Sequence, residues 1–200
     1  MPCRSGRDSV SAGPSRRAAL AGLAAALACS DVAGADSALV DVGGAFNLIS
    51  HEGRRVGSRE LLGRPYAIFF GFTHCPDVCP TALFELGLVL KDLGDAADAL
   101  APLFVTVDPA RDTQEQLALY LSSFDPRIIG LTGTEDEILV AMRAFKVVAR
   151  KVPLAAGDYT MEHTALMFLM DRRGRFFDKL DYRDEHAKQV AALRRLLALG

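Results

Sequence analysis

The sequence predicts an α/β domain in which helices flank a mixed central sheet, and three observations support that fold class. Short apolar runs alternate with stretches of helical periodicity, the order expected of crossover units around a parallel core. Residues 66–72 are apolar almost throughout, which is typical of a strand covered on both faces. The chain has 200 residues, 50% of them hydrophobic, so it suits one domain of ordinary size and excludes two large ones.

The first 35 residues are typical of an export signal and not of a folded element. Arg16 and Arg17 precede an uncharged run at 18–28, and small residues follow at 32–35. This run of 11 residues is too short for a transmembrane helix, which needs about 20. The paired arginines resemble a twin-arginine signal, Sec export fits equally well, and Cys29 lies at a loose lipobox. The alternative is an alanine-rich N-terminal helix of a cytosolic protein.

A single exported domain is expected at 36–200, and the charge composition of the chain limits the classes of partner that it could bind. The chain carries 23 basic and 25 acidic residues, so it lacks the basic excess of a nucleic-acid-binding protein, and nucleic acid is excluded as a partner. The expected location is the periplasm or the outer face of a bacterial inner membrane, with no transmembrane helix.

The predicted elements begin with a hairpin, a strand and a helix. A polar stretch at 46–50 with a turn at 52–53 predicts a short hairpin. The apolar run at 66–72 follows as the first core strand. Apolar side chains then recur at helical spacing over 81–93, and 103–107 is predicted to be a second buried strand.

The central part of the chain continues this alternation. Residues 113–124 have the periodicity of an amphipathic helix, and 128–130 predict a short strand. A further helix is expected over 134–145, because Thr134 with Glu137 three residues later is typical of a capping box.

The last part of the chain adds antiparallel strands to the sheet. Residues 146–152, 164–170 and 175–180 are predicted strands, and 184–199 is a closing helix. A thioredoxin-like sandwich fits this order of elements. In such open sheets, functional residues gather at the carboxyl edge of the strands.

Cys75 and Cys79 lie four residues apart at that edge, between the first core strand and the first helix. Pro80 fits a helix only in its first turn, so the helix begins close to Cys79, where a helix N-terminus favours a thiolate. One turn separates the two Cα atoms by about 6 Å, which a disulfide tolerates. The pair is therefore predicted to switch between disulfide and dithiolate. A structural disulfide or two buried thiols are the alternatives, and the polar neighbours His74 and Asp77 argue against burial.

His163 follows the glycine-containing stretch 153–160 and immediately precedes a predicted strand. If that strand lies beside 66–72, the imidazole faces the cysteines. Two thiolates and one imidazole form a soft donor set that suits copper, whereas zinc usually takes a fourth ligand. A hydrogen-bonded surface histidine is the alternative. His51 and His186 are predicted to be surface residues, and His74 either tunes Cys75 or faces solvent.

Three motifs together resemble the Sco/SenC family of copper-binding, thioredoxin-like proteins over residues 45–197. They are Gly-Phe-Thr-His-Cys-Pro-Asp-Val-Cys-Pro at 71–80, Val-Thr-Val-Asp-Pro-Ala-Arg-Asp-Thr at 105–113 and Glu-His-Thr at 162–164. The resemblance implies one copper ion per chain, Cu(I) or Cu(II), held by Cys75, Cys79 and His163. It also implies a metallochaperone that helps to assemble the dinuclear copper centre of cytochrome c oxidase subunit II, by copper delivery, by reduction of that subunit's cysteines, or both. The implied partners are that subunit, or a related copper-receiving protein, and a thiol–disulfide reductant.

The chain departs from the family pattern at Glu162, where an aspartate is usual, so the neighbourhood of His163 is expected to differ in reach. Asp108, Arg111 and Asp112 match the second motif. They are interpreted either as strand-end and helix-cap residues or as a partner-docking group.

Three other functions remain open from the residues alone. The main rival is a metal-independent thiol–disulfide oxidoreductase of the cell envelope that uses Cys75 and Cys79. Thioredoxin-type reductases resemble one another in a Cys-x-x-Cys spacing and a facing cis-proline, whereas this chain has three intervening residues and His163 at that place. A peroxiredoxin-like peroxidase and a purely structural exported domain are the others.

Overall fold

The computed structural model describes residues 42–199. The expected leader at 1–35, Cys29 and the start of the domain at 36 lie outside the described residues and stay predictions. In chain order, the strands and α-helices are β1 (Asn47–Ser50), β2 (Arg55–Gly57), β3 (Tyr66–Gly71), α1 (Val78–Leu93), β4 (Ala101–Thr106), α2 (Gln114–Leu121), β5 (Ile129–Thr132), α3 (Glu135–Ala144), β6 (Ala149–Pro153), β7 (Tyr159–His163), β8 (Leu166–Met170), β9 (Phe176–Asp181) and α4 (His186–Leu197).

Seven of these strands form one mixed sheet in the order β2-β1-β5-β4-β3-β8-β9. Strands β3, β4 and β5 are parallel, whereas β8 runs antiparallel to β3, and β9 runs antiparallel to β8. The predicted mixed sheet with an antiparallel last hairpin is therefore confirmed. Every residue of β3 and β4 is buried, which explains their continuous apolar sequence. No helix in the described part of the chain is long and apolar enough to span a membrane.

Local signals in the sequence fix two helix starts. Helix α1 begins at Val78, so Pro80 lies in its first turn, where its missing N–H leaves no bond unmade. Helix α3 begins after Thr134, whose hydroxyl accepts from the backbone of Glu137 while the Glu137 carboxylate accepts from the backbone of Thr134. Both predicted starts are confirmed.

One strand was missing from the sequence prediction. Strand β7 begins at the end of the glycine-containing stretch 153–160 and continues to His163. It pairs antiparallel with β6, and Ala149 lies opposite His163 in the register. The turn between them passes through Gly157, whose φ of 83° is in the left-handed region that glycine adopts without strain. We call this two-stranded unit, β6 and β7, the ribbon. Among the described residues it forms a sheet separate from the seven-stranded one.

Candidate functional site

The cysteine turn, residues 72–79, leads from β3 into α1 at the carboxyl edge of the parallel strands. Its end lies against Gly71, the last residue of β3. A Cβ atom built on Gly71 would lie 2.8 Å from Cys79 Sγ and 2.6 Å from the Phe104 ring. Glycine at this position therefore lets the sulfur approach the strand, and a larger residue would displace it.

The two cysteines differ in burial. Cys79 has 0% of its surface exposed, whereas Cys75 is half-buried, and both are free thiols. The expected polar setting is therefore wrong for Cys79, because the first turn of α1 directs its side chain into the core. The backbone N–H of Cys79 donates to Cys75 Sγ at 3.4 Å. Since N–H groups in the first helical turn lack intrahelical partners and Asp77 supplies no side-chain cap, the Cys75 sulfur is an acceptor for the start of α1.

This contact separates the acidities of the two thiols. A hydrogen bond from the Cys79 thiol lowers the pKa of Cys75 to about 3, with further help from the backbone N–H groups of Cys79 and Asp77. The same hydrogen bond, together with burial, raises the pKa of Cys79. The first proton lost by the pair therefore leaves Cys75. The sequence argument placed the favoured thiolate on Cys79, and this was wrong because it could not see that Cys79 is buried.

His163 reaches the cysteines from the end of β7. Its Nε2 lies 3.5 Å from Cys79 Sγ across 84 residues of chain, which agrees with the expectation that the imidazole faces the pair. Its Nδ1 lies 3.0 Å from the carbonyl of Thr164, and because a carbonyl only accepts, Nδ1 carries the proton and Nε2 presents its lone pair to the sulfur. The ring packs edge-on against Phe69 and Phe72, at 6.3 and 5.8 Å between centroids.

The separation of Cys79 Sγ and His163 Nε2 fits two ligands of one metal ion. With bonds of about 2.0–2.3 Å, tetrahedrally placed nitrogen and sulfur ligands lie about 3.5 Å apart. Within residues 42–199, no three His, Cys, Asp or Glu side chains already have their donor atoms gathered around one point. Cys75 lies beside Cys79, and its sulfur accepts from the backbone N–H of Cys79 at 3.4 Å.

Asp112 holds the cysteine turn in place through hydrogen bonds with Thr73. Its buried carboxylate accepts from the backbone N–H of Thr73 at 3.0 Å and from the hydroxyls of Thr73 and Thr106, each at 2.6 Å. Those bonds tie the turn to the end of β4. His74, about half exposed, lies beside Thr73 with its Nδ1 3.9 Å from the Asp112 carboxylate.

Asp108 and Arg111 perform the corresponding task for the ribbon. The buried carboxylate of Asp108 accepts from the Arg111 guanidinium and, at 2.9 Å, from the Tyr159 hydroxyl. The cap of α2 is Thr113. The helix-cap interpretation of Asp108, Arg111 and Asp112 is therefore wrong. A sequence signal was available, because three charged residues directly after a buried strand lie at the edge where the site forms.

The other sequence-selected residues make their contacts elsewhere. Glu162 forms an exposed ion pair with Arg150 at 2.6 Å on the ribbon. His51 Nδ1 accepts from the backbone of Gly130, and His186 pairs with Asp92 at 2.9 Å. None of these contacts involves the cysteine turn.

A Cys-x-x-x-Cys turn that faces a distant histidine, at the carboxyl edge of a mixed sheet, defines a thioredoxin-like domain with a thiol–imidazole site. The SCO1/SenC family model matches residues 34–198, and the chain belongs to that family.

Known relatives agree with this assignment. The structure of Bradyrhizobium japonicum ScoI with copper bound is 47% identical in sequence and has a TM-score of 0.74. The match covers 78% of this chain and 99% of that one. The human mitochondrial SCO1 homologue is 40% identical over 140 residues, 68% of this chain and 46% of that protein. A Rickettsia prowazekii SCO2-like protein is 38% identical over 156 residues, 77% of this chain and 76% of that protein. The chain thus spans about half the length of the human relative.

Proposed function

We propose that this protein is a metallochaperone that holds one copper ion through Cys75, Cys79 and His163 and helps to assemble the dinuclear copper centre of cytochrome c oxidase subunit II. The observation that carries the proposal is the 3.5 Å approach of His163 Nε2 to Cys79 Sγ beside the low-pKa thiol of Cys75. Family membership supports it, since relatives have been solved with copper bound and the Sco family is described as one of cytochrome c oxidase assembly proteins.

The donor set fits copper as cargo. Thiolates favour Cu(I), and the imidazole nitrogen tolerates Cu(II). Cys75 supplies a sulfur that is already ionised at neutral pH, whereas Cys79 releases its proton when the metal binds. The hydrogen bond from Nδ1 to Thr164 fixes the tautomer that directs the Nε2 lone pair inward.

The acidity difference between the sulfurs also favours a second function, thiol–disulfide exchange without metal. The Cys75 thiolate would attack one sulfur of a partner disulfide and release the other as a thiolate. Cys79, after losing its proton, would then attack Cys75 and release the partner's second sulfur. The partner gains two electrons, and this chain keeps a Cys75–Cys79 disulfide that an external thiol reductant must reopen.

A Cu(I) titration separates the two functions. The protein, expressed from the full chain and fully reduced, should take one copper ion in competition with a chromophoric chelator. Cys75→Ser and Cys79→Ser should each abolish tight binding, and His163→Ala should weaken it about 10- to 100-fold. His186→Ala is the matched control and should bind like wild type, because its imidazole pairs with Asp92.

The outcomes decide between the functions. Wild-type affinity in all three ligand variants would reject the copper site. Copper binding indifferent to His163→Ala, combined with rapid reduction of a disulfide in the oxidase subunit's copper domain, would leave the oxidoreductase as the function. Copper transfer from the loaded protein to that domain is the expected result.

The proposed cellular location is the periplasm or the outer face of a bacterial inner membrane. The export signal predicted at 1–35 supports this location. After expression of the full chain in bacteria, N-terminal sequencing of the envelope fraction should find a chain lacking at least residues 1–28. A cytosolic chain that still starts at Met1 or Pro2 would contradict export.

A further inference from the structure

The ribbon is joined to the main sheet at one end by the chain, since β8 begins three residues after His163, and along its length by side-chain contacts. In the described part of the chain it pairs with no strand of the seven-stranded sheet, although it carries the imidazole at its end. Alternate side chains of a strand share a face, so Tyr159, Met161 and His163 lie on one side of β7. Whatever holds that face therefore sets the position of the imidazole.

Tyr159, at the start of β7, makes three contacts with the segment that follows β4, and Lys151 of the ribbon lies 4.8 Å from the centroid of its ring. Its hydroxyl donates to buried Asp108 at 2.9 Å, and its carbonyl accepts from Arg111 Nη1 at 2.9 Å. The Arg111 guanidinium also lies over its ring, 3.7 Å from the centroid. All three contacts come from the segment that directly follows β4, so they join the ribbon to the core of the sheet.

Arg111 also reaches the other end of that face through one aromatic ring. Its guanidinium carbon lies 6.0 Å from the centroid of Phe72, and the Phe72 ring stands perpendicular to His163 at 5.8 Å. The side chain of Arg111 is largely buried, with 17% of its surface exposed, so it has little freedom to move away from either neighbour. Displacement of Arg111 would change the support of the strand that carries His163 and of the ring against which His163 packs.

We propose that Arg111 is a positioning residue for His163, acting through Tyr159 at the start of β7 and through Phe72 at its end. The inference rests on the proposed function, because it concerns how the imidazole is presented to copper. Arg111 touches neither sulfur in these contacts, so its loss should affect the contribution of the imidazole and leave that of the thiols.

The test is a double-mutant cycle on Cu(I) affinity, measured by chelator competition with the reduced protein expressed from the full chain. With His163 present, Tyr159→Ala should weaken binding about 10-fold, the loss expected when a group that orients a metal ligand is removed. Tyr159→Phe should have a smaller effect, because the ring over Arg111 remains. In the His163→Ala background the same changes should alter affinity less than about twofold, since no imidazole remains to be positioned.

A second readout needs no metal. In the reduced, copper-free protein, Arg111→Ala and Tyr159→Ala should speed amide hydrogen exchange over residues 159–163 and leave the midpoint potential of the Cys75–Cys79 pair unchanged. Arg150→Gln is the control, because it breaks an exposed ion pair of the same ribbon, and it should change neither measurement.

Equal losses of affinity in both His163 backgrounds would overturn the proposal, as would unchanged affinity in a folded Tyr159→Ala protein. Arg111→Ala leaves buried Asp108 without its cation, so the Tyr159 variants decide if that protein does not fold. A wild type that binds no copper would reject the proposed function instead, and unchanged exchange over 159–163 would then reject the positioning role independently.

Discussion

The cysteine turn and the ribbon bring the same site together but are held in different ways. The turn continues directly from a fully buried strand into a helix, and Cys79 is part of the core. The ribbon stands outside the main sheet and is attached by polar contacts of Asp108 and Arg111 with Tyr159 and by the packing of Met161 on the core. The cysteine half of the site is thus part of the hydrophobic core, and the histidine half is joined to the core by side-chain contacts.

Oxidation should produce the largest effect, because it disables the turn while leaving the ribbon unchanged. A Cys75–Cys79 disulfide offers no thiolate, so copper binding should fall below detection. Mass spectrometry after non-reducing digestion identifies the bridge, and equilibrium dialysis measures the metal. An unaltered copper stoichiometry in protein that fully contains the Cys75–Cys79 disulfide would mean that copper binding does not require the thiolates of the cysteine turn.

The pH dependence of alkylation tests the acidity of the turn. Because the pKa of Cys75 is lowered to about 3, its thiolate persists as the pH falls from 8 to 5 and is lost only below that window. An ordinary thiol with a pKa of about 8.5 would lose several hundredfold of its thiolate over the same range. The rate of iodoacetamide addition at Cys75, followed by mass spectrometry, should therefore stay nearly flat.

Cys79→Ala supplies the matched variant for that measurement. It removes the thiol whose hydrogen bond chiefly lowers the pKa of Cys75, so the alkylation rate should begin to fall with decreasing pH. A wild-type rate that already drops about tenfold per pH unit between 8 and 5 would contradict the assigned thiolate.

Asp112→Ala should weaken the attachment of the cysteine turn to the end of β4 and destabilise the protein. The substitution removes the acceptor of three hydrogen bonds in a buried setting and should lower the free energy of unfolding by about 3 kcal/mol. Urea unfolding of the reduced protein measures the change. A loss below about 0.5 kcal/mol, the size of an ordinary surface effect, would show that the turn is held by its neighbours in the core alone.

Glu162→Gln should have the smallest effect, although Glu162 adjoins His163. Its ion pair with Arg150 leaves both side chains more than half exposed, so the expected loss of stability is below about 0.5 kcal/mol and copper affinity should not change. Isothermal unfolding and chelator competition check both values. A tenfold change in copper affinity would mean that this position communicates with the site after all.

The sequence predicted those parts of the site that depend on local rules. Pro80 fixed the start of α1 and thereby the place of Cys79, and the continuous apolar run of β3 identified the core strand beside it. The approach of His163 followed from the expected neighbour of β3, which β8 proved to be. Each inference used residues within one element or one predicted pairing.

The remainder depended on contacts between distant segments. The buried Asp112 carboxylate accepts a hydrogen bond from Thr73, 39 residues away in the chain. The buried Asp108 carboxylate accepts one from Tyr159, 51 residues away. Their position after a buried strand indicated the edge where the site forms, but no local pattern shows which distant residue each carboxylate contacts. The assignment of the thiolate failed for a related reason, since helix position favours an anion at either cysteine and only burial excludes it from Cys79.

The hydrogen bond from the start of α1 to the Cys75 sulfur bears on how readily the proposed copper ion would depart. If binding of the proposed copper ion draws the Cys75 sulfur away from this N–H, the helix loses an acceptor in its first turn, a loss that costs about 1 kcal/mol where caps have been removed in other proteins. That penalty lowers an equilibrium constant roughly fivefold. If the proposed copper site forms in this way, the helix end competes with the metal for the Cys75 sulfur, and this competition would favour transfer over storage.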